Sequence, residues 1–192
     1  AADAKLSGWP IASANGAGLY IDTTSFTDIA DNLIEYNVAA GQYGGIANLG
    51  TLVLRRSTLR NNSATRGGGF GNLGTATLNS VTISSNTANA DGGGGVYNAS
   101  SATLHINHPT ITLNSAAADG GGLWNDGGTA NLSNALIAGN SGGAAPDARG
   151  VLRSLGYNLT GNVAGHSWDP GSPSMVGNLP GVAPRLGALS DQ

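Results

Sequence analysis

The apolar residues of this 192-residue chain do not follow a helical period. They fall in short alternating runs: Thr51-Leu52-Val53-Leu54, Thr75-Ala76-Thr77-Leu78, Ser101-Ala102-Thr103-Leu104 and Thr129-Ala130-Asn131-Leu132. Alternation with period two predicts strands that bury one face. A second signal follows each run, Leu or Ile, two residues, then Asn. It occurs at Ile34 to Asn37, Leu59 to Asn62, Ile83 to Asn86, Ile111 to Asn114, Ile137 to Asn140 and Leu159 to Asn162, and its Asn residues lie 25, 24, 28, 26 and 22 positions apart. A third signal, Gly then an apolar residue, runs in step at Gly18-Leu19, Gly45-Ile46, Gly69-Phe70, Gly95-Val96 and Gly122-Leu123. Asn follows it at Asn48, Asn72, Asn98 and Asn125.

One repeat therefore reads as a Gly-rich turn, a short strand, an Asn turn, two further strands and a small-residue loop. Strands this short do not make stable hairpins on their own. Stacking the repeats solves the problem, because each strand pairs in parallel with its counterpart one turn on, roughly 4.8 Å away. The pattern predicts an all-β fold, a single-stranded right-handed parallel β-helix of about six to seven coils. Residues 16–164 form the coils, residues 1–15 with Trp9 and Pro10 cap the first one, and residues 165–192 form a non-repeating tail over the last turn or along one face. Apolar columns are expected at Leu54, Leu78, Leu104 and Leu132, and at Leu59, Ile83, Ile111 and Ile137. Asn37, Asn62, Asn86, Asn114, Asn140 and Asn162 are expected to stack as an internal ladder, since Asn tolerates a tight bend and its amide can bond its neighbours. A leucine-rich repeat would need denser Leu, and a β-sandwich would not return one motif in register six times.

Composition narrows this reading. Gly is 32 of 192 residues and only 10% are charged, yet 40% are hydrophobic and recur in register, which argues against disorder. The absence of Cys excludes disulfides and thiolate metal sites. A net charge of −3 speaks against a general nucleic-acid surface. No apolar stretch approaches the roughly 20 residues of a membrane span. The start at Ala1-Ala2-Asp3 is compatible with a removed leader, and the end at Asp191-Gln192 reads as a cut within a longer protein.

The segments Gly93-Gly94-Gly95-Val96-Tyr97-Asn98 and Gly120-Gly121-Gly122-Leu123-Trp124-Asn125, with the Leu/Ile-x-x-Asn motif, resemble repeats of bacterial polymorphic outer-membrane proteins and of a wider group of exported bacterial β-helix proteins with the pectin-lyase-like superfold. Ser154-Leu155-Gly156-Tyr157-Asn158-Leu159-Thr160-Gly161-Asn162 resembles the closing coil of that group, and Val182 to Leu189 its following tail. The likeness covers roughly residues 16–190. It implies a secreted or cell-surface protein, an adhesin or passenger segment, with a host surface or a polysaccharide as partner. It implies no activity by itself, because the superfold hosts enzymes and non-enzymes alike.

Candidate chemistry is sparse. Asp22, Asp28, Asp31 and Glu35 fall in the first turn, and Arg55, Arg56, Arg60 and Arg66 one turn later. A catalytic groove across both turns is conceivable; solvated charge near one end is the simpler account. No catalytic residue is assigned. The polysaccharide lyase or hydrolase alternative would need three or more convergent acids with an Arg or Lys on one face. Asp91 and Asp119 precede Gly runs in successive turns, where they could share a Ca²⁺ ion, although an Arg66–Asp91 pair is the cheaper explanation. No other cofactor is expected. His105 and His108 fall near a two-residue gain in the repeat and lack a third metal ligand. Tyr20, Tyr97 and Trp124 share one outward column, with Ala47 and Gly71 between them. They read either as a contact surface for sugars or a partner, or as a shield over the Gly-rich turn. Thr77 with Thr103, and Thr58 with Thr82 and Thr110, are further outward columns; regular Thr arrays can order water and bind ice, but here Val53, Asn131 and Leu136 interrupt them.

Overall fold

A computed structural model describes residues 5–7, 10–11 and 18–184. Among the described residues there are strands and turns and no helix, and every strand pairing is parallel. From Leu19 to Ala116, four successive coils each run through four strands. The third coil has Phe70–Asn72, Thr75–Asn79, Thr82–Ser84 and Thr87–Ala88. Each pairs with its counterparts in the coils before and after, giving a solenoid of about six turns.

Inward residues stack into a continuous apolar core. Ile46, Phe70, Val96 and Leu123 form one column, and Ile34, Leu59, Ile83, Ile111 and Ile137 another. Large and small residues offset one another across the lumen: the coil that holds Phe70 holds Ala76 where the coils on either side hold Leu52 and Leu104.

The register corrects two expected columns. Leu54 and Leu78 stand with Ile106 and Leu132, while Leu104 stands with Leu52, Ala76 and Ala130. Thr103 joins Thr51, Thr75 and Thr129, while Thr77 joins Val53, His105 and Asn131. The reason is where the longer fourth repeat accommodates its extra residues. Asn98 still faces Asn72, but Thr103 faces Thr75. The gain is therefore absorbed in the turn at Ala99–Ala102, closed by a 3.0 Å bond from Ala102 N to Ala99 O, and not beside the two His residues.

Two Asn ladders run through the corners. In the first, the Nδ2 of Asn37, Asn62, Asn86 and Asn114 donates to the Oδ1 of the next Asn at 2.9–3.0 Å. Each Oδ1 also accepts the backbone N–H of the preceding ladder residue. The second, Asn48–Asn72–Asn98–Asn125, is linked by amide bonds of 2.8 Å. Asn162 is not a rung. Asp147 takes the position after Asn140, its Oδ1 accepting Asn140 N and Nδ2 at 2.9 Å, and the Asn162 side chain is exposed. A carboxylate only accepts, so it satisfies both Asn140 donors and cannot pass the chain of amides on.

The corners demand left-handed backbone. Tyr36, Asn61, Ser85, Leu113 and Gly139 hold one corner at φ between 55° and 71°, and Asp31, Arg56, Ser80, His108 and Asn134 hold another at positive φ. Leu113 is 56% exposed at φ 58°, so it carries the steric cost of that region without burial to offset it. Leu113→Asn is expected to raise stability by about 0.5–1 kcal/mol, measured by denaturant unfolding. An unchanged or lower midpoint would show that the corner holds no strain worth relieving.

Both ends continue the solenoid. Lys5–Ser7 pairs with Leu33–Glu35, and Pro10–Ile11 with Val38–Ala39. Trp9, expected in the cap, lies outside the described residues, as do residues 185–192 of the expected tail. Parallel pairing does not stop at residue 164: His166–Trp168 pairs with Gly150–Leu152, and Leu179–Pro180 with Leu159–Thr160.

Candidate contact surface: the aromatic and arginine column

The outer face of the glycine-led strands carries the aromatic column. Pairing places Tyr20, Ala47, Gly71, Tyr97, Trp124 and Arg149 in one line across six coils. The shared column is as expected, but its exposure is not uniform. Tyr20 is 52% exposed, Tyr97 only 4%, and Trp124 lies between.

Tyr97 is covered by residues from neighbouring turns. Tyr43 fills the gap left by the small residues, with its ring over Gly71; a Cβ there would collide with it. Tyr43 stacks on Tyr97 at 6.1 Å between centroids, and Trp124 meets Tyr97 edge-on at 5.6 Å. Trp124 in turn lies against Gly92. The Arg66 guanidinium sits 4.8 Å from the Tyr97 ring centre, and that of Arg149 4.7 Å from the Trp124 ring. Cation and ring attract through the ring quadrupole. Burial, then the 2.7 Å hydrogen bond that Tyr97 donates to Asp126 Oδ2, raises the Tyr97 phenol above the usual tyrosine range. The ring faces a sugar would stack on are thus already engaged. This favours the shielding account of Tyr97 and Trp124 and leaves Tyr20 as the exposed ring of the column.

The acids and arginines join one coil to the next. Arg55 bonds Asp28 at 2.6 Å, Arg56 bonds Asp31 at 2.6 Å, and Arg60 bonds Glu35 at 2.8 Å. The two turns expected to flank a groove are therefore cross-linked by three ion pairs. Arg66 holds Asp91, with Nε at 2.7 Å from Oδ2. Asp119 binds Arg149 at 2.9 Å and accepts the N–H groups of Ala144 and Ala145 at 2.8 and 3.2 Å. Asp91 and Asp119 each turn to their own arginine. Among the described residues no group of three or more His, Cys, Asp or Glu is placed to hold a metal ion. His105 lies in its outward column 3.4 Å from Asn131, and His108 is exposed at a corner.

Tyr43, Arg149 and Asp126 were not foreseen as parts of this cluster. The signal for Tyr43 was the pair Ala47 and Gly71, which leaves a hole in an otherwise bulky column for its ring to fill.

Comparison with curated proteins and with solved structures finds no match. The family model described as the right handed beta helix region matches residues 11–141, more than half of the chain. The stacked parallel strands, the inward apolar columns and the Asn ladders agree with that match, and the chain belongs to the right-handed β-helix family.

Proposed function

We propose that this chain is a non-catalytic β-helix module that works outside the cell, at a surface, as a display, spacer or adhesion segment. The carrying observation is the use made of its charged side chains. Asp28, Asp31, Glu35, Asp91 and Asp119 are each engaged by an arginine of a neighbouring coil, and Asp147 terminates an amide ladder. These groups hold coils together and give a stiff rod whose outer faces are the working parts. The bacterial, surface-associated setting rests on the resemblance of the glycine and asparagine repeats.

A second reading, a β-helix that binds or cleaves polysaccharide, is favoured by one feature. Asp91, Asp119 and Asp126 lie with Arg66 and Arg149 around Tyr97 and Trp124 on one face. A glycan array and a host-surface binding assay, run beside an uronate-absorbance lyase assay and a reducing-end hydrolase assay, separate the two. Binding without turnover is expected; turnover of any polysaccharide overturns the non-catalytic reading.

Trp124→Ala is expected to destabilise the fold by about 1–3 kcal/mol, because it removes a ring packed on Tyr97, Gly92 and Arg149. Melting and glycan binding are read on the same sample. Unchanged melting with lost binding would return Trp124 to the role of a contact residue.

A further inference from the structure

The inside of the solenoid changes character at its last coil. Where the preceding coil points Leu132 and Ile137 inward, this one buries Ser154 and Thr160, with Asn158 and Asp147 buried as well. Asp147 is 3% exposed; its Oδ1 accepts two bonds from Asn140, and its Oδ2 accepts the Asn162 N–H at 2.7 Å. His166, within electrostatic reach of Asp147, opens the strand His166–Trp168. That strand docks on Gly150–Leu152, tied by Gly150 N to Gly165 O at 2.9 Å and Asp169 N to Leu152 O at 2.7 Å. Trp168 packs against the apolar core, and its ring meets that of His166 edge-on at 5.6 Å. The His166 Nδ1 and the Trp168 Nε1 are buried, and neither has a hydrogen-bond partner among the described residues.

We propose that this strand is an acid-operated latch: it stays docked while His166 is neutral and lifts away when the ring is protonated, baring the edge of Gly150–Leu152 and the core seat of Trp168. His166 is half-buried, but its Nδ1 is itself buried and has no acceptor among the described residues, so a proton on that nitrogen finds nothing to bond. Of the charged groups on the surrounding elements, Arg149 is bound to Asp119, Arg153 is exposed, and Asp169 bonds Gly171 N in its own turn. Asp147 acts on the ring and favours its charged form, but its oxygens already accept three N–H bonds. Burial outweighs that attraction and holds the His166 ring below the usual histidine value of 6.5. A histidine with a depressed folded-state pKa stabilises the docked strand fully above 6.5 and loses that stabilisation as pH falls from 6.5 towards the folded-state value. An uncovered strand edge is a template for pairing with another chain, so the latch would make end-on association depend on acid.

Hydrogen exchange on the whole chain, expressed as protection factors from about pH 8 to about pH 5, reads the latch directly. Protection of residues 166–168 is expected to fall by up to about tenfold per pH unit below 6.5, while residues 75–79 and 103–107 keep theirs. His166→Phe and His166→Gln, neither of which titrates, are expected to flatten the profile. The histidines on other coils, His105 and His108, are replaced by Gln as controls and should leave it unchanged. Constant protection at 166–168 overturns the proposal. So does simultaneous loss in every coil, or a pH dependence that survives both His166 variants.

Discussion

Ile83→Ala is expected to lower the stability of the folded chain by about 2–5 kcal/mol. Ile83 is fully buried in the column between Leu59 and Ile111. Truncation removes the transfer free energy of three carbon atoms and leaves a void. The rigid coils above and below cannot easily collapse into it, because each is held by its own ladder of backbone bonds. Denaturant unfolding of wild type and variant, read as a change in midpoint at unchanged slope, measures it. A loss under about 0.5 kcal/mol would mean that the column is looser than its burial implies.

Asn86→Ala is expected to cost about 3 kcal/mol or more, an effect comparable to that of the core substitution despite the smaller change in apolar volume. The Asn86 side chain accepts from Asn62 N and Asn62 Nδ2, both at 3.0 Å, and donates to Leu59 O and Asn114 Oδ1, both at 2.9 Å. Alanine strands these partners inside the fold, and an unpaired buried group costs more than a hydrogen bond contributes. Asn162→Ala is the control. It carries the same sequence motif, but Asp147 holds its rung and its side chain is exposed, so its loss should be within about 0.5 kcal/mol. Equal effects at the two positions would mean that the motif, and not the ladder, sets the cost.

The contrast between Asn86 and Asn162 shows how far a repeat can be read. Leu/Ile-x-x-Asn marked five rungs of the first ladder correctly, because each Asn follows a buried residue by a fixed interval. It misplaced the sixth because Asp147, which precedes Asn162 in the chain, reaches the Asn140 amide first. The Asn48, Asn72, Asn98 and Asn125 series was visible as part of a motif, yet its role as a second buried ladder appeared only from the amide bonds.

Charge and aromatic residues were less legible than the core. The acids of the first turn and the arginines of the second were seen as groups. Which carboxylate meets which guanidinium depends on register, and one residue of slip would turn each side chain to the other face. The aromatic column was placed correctly, but the burial of Tyr97 depended on Tyr43 and Arg66, which reach it from the loops that precede Ala47 and Gly71.

The sequence by itself determined the parallel solenoid, its repeat length and the identity of most inward residues, because period-two alternation and recurring Gly and Asn are local patterns that stacking must respect. Only the tertiary structure decided where the fourth repeat absorbs its extra residues, which acid closes the ladder and which rings stay exposed. These depend on the turn at Ala99–Ala102, on Asp147 and on Tyr43, where a short loop can fold more than one way until the coils on either side fix the space left for it.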